Sequence, residues 1–77
     1  MTYEQLLDLL FDMHPDVDFQ TAEGLIDRKV LTSFDVVSIA AELSEPYGVD
    51  IGAVDIVPEN FNSARALFAL IQRLENE

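Results

Sequence analysis

An all-α four-helix bundle with a long first loop and a short third helix is the fold this 77-residue chain predicts, on three observations. Apolar residues recur at helical period in separate stretches: Tyr3, Leu6, Leu7 and Leu10; Val36, Ile39, Ala40 and Leu43; Leu67, Leu70, Ile71 and Leu74. Each stretch opens on a residue suited to cap a helix, namely Thr2, Thr32 and Asn62 or Ser63. Close to half of the residues are apolar and there are no cysteines, so the stability of a single domain over 1–77 has to come from packing.

The first helix is expected from about Tyr3 to Met13, opened by a Thr2–Gln5 capping box and stopped by Pro15, which biases His14 out of the α region. From Asp16 to Leu31 no long periodicity holds. A helical turn fits around Gln20 to Gly24, and Phe19, Leu25, Ile26, Val30 and Leu31 are apolar anchors for a loop too long to hang free from so small a domain. The second helix is expected from about Ser33 to Glu45, with Pro46 ending or kinking it near Leu43 to Glu45 and Gly48 suited to a left-handed exit. Ala53 to Val57 reads as a single turn, Pro58 to Phe61 as a tight turn, and the last helix starts after Asn62 or Ser63. Val37, Ala41 and Tyr47, with Leu67 and Ile71, read as core.

Fifteen acidic residues against four basic ones give a net charge of −11. Nucleic-acid binding needs clustered Lys or Arg and is excluded on that ground, as is an anionic membrane surface. An acidic nucleic-acid mimic fits less well, because the carboxylates are spread along the chain. MTYEQLLDLL has no basic region ahead of its apolar run and carries Glu4 and Asp8, so neither a signal peptide nor a membrane span is expected, and the cytoplasm is the default location. Catalysis has little support: His14 is the only histidine, and a serine triad would have to bring it to Ser33 with an oxyanion hole. Asp16 and Asp18 begin a calcium-loop spacing that Gln20 and a misplaced Gly24 break, so no metal site is assigned.

One junction stands out. In Leu31-Thr32-Ser33-Phe34-Asp35, Thr32 can serve as N-cap, with Asp35 three residues on closing a box. That leaves Ser33 at the first helical position with no structural duty, its hydroxyl facing water at the positive end of a helix, where a covalently attached phosphate is favoured.

Five blocks in order then resemble the acyl carrier protein superfamily: Leu25-Ile26-Asp27, Leu31 to Asp35, Ile39 with Leu43, Tyr47-Gly48-Val49-Asp50-Ile51, and Pro58 to Ser63. The resemblance covers nearly the whole chain. The Asn-Phe-Asn-Ser block and the start of the second helix look most like the stand-alone D-alanyl and peptidyl-type carriers. The resemblance implies a non-enzymatic protein, a monomer, in which Ser33 carries a covalent 4′-phosphopantetheine and presents an acyl or aminoacyl thioester to partner enzymes. It implies as partners a phosphopantetheinyl transferase, an activating ligase and acyl-transferring enzymes, meeting the second helix through Thr32, Phe34, Asp35, Glu42 and Glu45. Phe34 also reads as ordinary core, and the acidic residues as a solvated face. The chain departs from the family's pattern in two ways. Thr32 replaces the aspartate usual before the serine, and Ser38 and Ser44 stand where fatty-acid carriers have glutamates. The competing reading is a non-modified acidic helical module that binds a basic or amphipathic partner.

Overall fold

The computed structural model describes residues 1–76, save the side chains of residues 45 and 46. Among the described residues there are four α-helices and no strand: α1 (Tyr3–Met13), α2 (Ser33–Tyr47), α3 (Pro58–Phe61) and α4 (Ala64–Glu75). A 3₁₀ turn at Ala53–Asp55 precedes α3. Pro58 to Phe61, expected to be a tight turn, is a turn of α-helix, with Pro58 at the start, where a missing N–H costs no helix hydrogen bond.

The capping residues act as the sequence suggests. Gln5 N–H donates to Thr2 Oγ1 (3.1 Å), while Thr2 N–H donates to Gln5 Oε1 (2.9 Å). Ser63 caps α4 by accepting from Ala66 N–H at 3.1 Å. α2 runs on to Tyr47 rather than stopping before Pro46, because proline in the last turn costs one ladder bond and leaves the rest intact. Gly48 then turns the chain out with φ 65°, and the N–H groups of Gly48 and Val49 both donate to the Leu43 carbonyl.

Leu6 and Leu10 of α1, Val36, Ile39 and Leu43 of α2, and Ala64, Leu67, Leu70 and Ile71 of α4 form one buried core with Val49 and Phe61. α4 packs against α1 and α3, and Tyr3 meets Phe68 edge-on with ring centroids 5.4 Å apart. On α2 the buried stripe is narrower than expected. Val37 (58 % exposed), Ala41 and Tyr47, read as core, lie outside. Val37 sits one residue, about 100°, round the helix from Val36, off the stripe that faces the core.

The long loop is packed down through Phe19, Leu25 and Leu31, all buried, with Ile26 against the core; Val30 is exposed. It contains turns and no helix. Ala22 N–H donates to the Asp18 carbonyl, and the Asp18 side chain accepts from Gln20 N–H and the Thr21 hydroxyl. A second turn follows Gly24, closed by donation from Val30 and Leu31 N–H to the Leu25 carbonyl, and it requires left-handed backbone at Lys29 (φ 60°). No described helix is long and apolar enough to cross a membrane.

A charge of −11 on so small a domain produces self-repulsion that salt screens. Raising salt from low to physiological strength should therefore raise the melting temperature, by roughly 4–8 °C for each 1 kcal/mol relieved. A scan in which moderate salt lowers the melting temperature contradicts the repulsion argument.

Candidate functional site

The start of α2 is built so that Thr32 and Asp35 do the capping. Thr32 is extended (φ −96°, ψ 172°), and its Oγ1 accepts from Asp35 N–H at 3.3 Å. In return Asp35 Oδ2 accepts from Thr32 N–H at 2.9 Å and from the Thr32 hydroxyl at 3.0 Å. Asp35 Oδ1 lies 3.2 Å from His14 Nε2, which ties the end of α1 to the start of α2. His14 thus meets Asp35, the residue that closes the cap, and this is a structural use of the histidine.

The Thr32 N–H holds the Asp35 carboxyl below its ordinary value of 3.8, with the Thr32 hydroxyl and His14 adding to it and partial burial opposing. A carboxyl depressed on folding contributes stability that is complete above its unfolded value and is lost as pH falls through its lower folded value. The stability difference between wild type and Asp35→Asn, from urea midpoints, should therefore shrink as pH falls below the 3.8 of the free carboxyl. Thr32→Ala should cost about 0.5–2 kcal/mol, as a lost N-cap does.

With that box closed, Ser33 is exposed as the first residue of α2. The N–H groups of Ser33 and Phe34 are among the first-turn donors that a helix ladder leaves over. Ser33 stands on the rim of a cleft of ≈ 150 Å³ between α2 and the α3 region. Val36 and Val37 form one wall, and Ile56, Val57 and Pro58 the other; Ile26 and Phe61 complete it. Among the described residues no charged side chain lines it.

The sequence-predicted site residues share one helix but have different surroundings. Thr32 and Asp35 are engaged with each other. Phe34 is 77 % exposed, so packing does not account for it. Glu42 is exposed on the same helix, and the side chain of Glu45 lies outside the described residues. Sequence reasoning missed the far wall of the cleft, Ile56 and Pro58, and misplaced Val37. The available signal was Val54, Ile56 and Val57, apolar residues in a stretch too short to bury them; Val54 and Ile56 are exposed.

The far wall depends on the Asn60-Phe61-Asn62-Ser63 block. Asn60 Nδ2 donates to the Asp55 carbonyl at 2.9 Å, fixing the 3₁₀ turn, and Phe61 is buried. Of the two candidate caps for α4, Ser63 is the cap and Asn62 clamps the long loop. Its Oδ1 accepts from Ile26 N–H (2.9 Å) and Asp27 N–H (3.2 Å), its Nδ2 donates to Asp27 Oδ2 (3.3 Å), and its carbonyl accepts from Leu25 N–H (2.8 Å). Among the described residues no group of three acidic or histidine side chains is arranged to hold a metal ion. No family model, curated protein or solved structure matches the chain.

Proposed function

We propose that the chain is an acyl-carrier-type protein, modified on Ser33 with 4′-phosphopantetheine and without catalytic activity of its own. The observation that carries this reading is a serine at the first position of α2, relieved of capping by Thr32 and placed beside an uncharged apolar cleft. The residues fit the group. The hydroxyl is exposed to a modifying enzyme, and the leftover N–H groups at the positive end of α2 favour the phosphodiester anion. Asp35, the nearest carboxylate in sequence, is held in the cap and by His14 rather than free.

In the modification, Ser33 Oγ supplies the nucleophilic oxygen and loses its proton to the transferase. It forms the phosphodiester as the nucleotide half of coenzyme A leaves. Once attached, the group supplies a thiol that carries an acyl or aminoacyl cargo as a thioester. Phe34 and Val37, exposed beside Ser33, give partner enzymes an apolar contact, and Glu42 gives a charged one. Thr32 keeps the cap that the family's aspartate would provide but adds no carboxylate for a transferase to read.

Incubation with coenzyme A and a broad-specificity phosphopantetheinyl transferase, followed by intact-mass spectrometry, tests the reading. The expected result is a gain of one phosphopantetheine located to Ser33. A chain left unmodified by every transferase tried overturns it in favour of the unmodified interaction module.

A further inference from the structure

A second depression shares no lining residue with the Ser33 cleft. It is a groove of ≈ 410 Å³ between the outer face of α1 and the beginning of the long loop. Leu7, Phe11 and Val17 supply its apolar surface, and Asp8, Asp16 and Asp18 its rim. Phe11 is 55 % exposed, whereas Leu10 beside it in the sequence is buried in the core. None of the four basic residues lines the groove.

The charges around it are placed against local stability. Asp12 lies in the last turn of α1, which has no basic residue, so a carboxylate sits at the negative end of the helix dipole with Asp8 one turn before it and Asp16 just beyond. His14, the one group there able to carry positive charge, is turned to Asp35. An incoming cation would relieve this arrangement. A second copy would not, since association would press −11 against −11.

We infer that this groove docks a cationic amphipathic segment of a partner protein, with a bulky apolar side chain against Phe11 and Lys or Arg residues over Asp8, Asp16 and Asp18. The carboxylates steer the encounter and the aromatic ring provides the anchor, a division of labour common at protein interfaces. This surface is separate from the Ser33 cleft, so the inference stands or falls independently of the carrier reading.

The test uses the unmodified 15N-labelled protein and a synthetic amphipathic peptide of leucine and lysine. Amide shift changes should concentrate at Leu7, Phe11 and Val17, and affinity should fall with salt. Phe11→Ala should weaken binding about tenfold or more, as loss of an aromatic anchor does. Val54→Ala, at an exposed residue that lines neither the groove nor the cleft, should leave affinity unchanged, and circular dichroism reports whether either variant is folded. Asp8→Asn with Asp16→Asn, which leaves the apolar floor in place, should flatten the salt dependence. Shift changes centred on Ser33 and Val37, or spread over the whole acidic surface, overturn the inference. So does unaltered affinity in folded Phe11→Ala, or a self-associated species by sedimentation equilibrium that Phe11→Ala disperses.

Discussion

Ser33→Ala is expected to abolish phosphopantetheine attachment completely while changing the unfolding free energy by no more than about 0.5 kcal/mol, the range for exposed substitutions that touch no cap or core. The structural half of this expectation follows from the division of roles at the head of α2. Thr32 supplies the cap, Asp35 returns it, and the helix proper begins at Ser33 with its side chain exposed. Alanine is the best helix former and should hold that position at least as well as serine. Thr32→Ala should show the reverse pattern, a loss of stability with the modifiable hydroxyl retained. Thr32→Asp keeps an N-capping oxygen while placing a carboxylate next to the serine, so it should be modified by any transferase that needs one. Intact-mass spectrometry and urea midpoints on these variants separate chemistry from architecture. An unfolded Ser33→Ala protein would assign the serine to the structure and remove the central support for the carrier reading.

The parts of this molecule that the sequence makes legible are those governed by local rules. Thr2–Gln5 and Thr32–Asp35 are capping boxes because the spacing of donors and acceptors in the first turn is fixed by helix geometry. The stripe of Leu67, Leu70, Ile71 and Leu74 faces inward because its period is that of the helix. Features that depend on what lies opposite were harder to read. Val37 and Val36 are chemically the same residue; one is exposed and the other buried because the core packs against only one stripe of α2. The helical period sets Val36 with Ile39 and Leu43, but how far round the helix the cover reaches, and so whether Val37 is buried, is fixed by what packs opposite. Asn62 likewise has the chemistry of a cap, and Ser63 beside it is the cap. The asparagine's partners, Ile26 and Asp27, stand 36 and 35 residues away along the chain, beyond the reach of any local pattern. The two walls of the cleft come from segments that only the tertiary fold brings together, so Ser33 was identified as a site before its surroundings were.

Asn62→Ala is expected to cost about 1–3 kcal/mol, the range for leaving hydrogen-bonding groups unsatisfied when one partner is removed. One side chain holds three bonds to the loop, and its backbone carbonyl holds a fourth that alanine would keep. The loss should therefore fall on Ile26 and Asp27, whose amide hydrogens should exchange faster in the variant, while the Leu25 amide stays protected. Since Ile26 also lines the Ser33 cleft, the same substitution should loosen one wall of the candidate site without touching the serine. Asn62→Asp distinguishes the two ends of the clamp. It keeps an oxygen to accept from the Ile26 and Asp27 N–H groups but brings a carboxylate against Asp27 Oδ2, where Nδ2 now donates at 3.3 Å. At neutral pH Asn62→Asp should be destabilised by like-charge repulsion, and adding Asp27→Asn should recover most of the loss by restoring an amide–carboxylate pair in the opposite sense. Full stability in Asn62→Ala, or no recovery in the double variant, would show that the loop is held by Phe19, Leu25 and Leu31 alone and that the clamp is incidental to the fold.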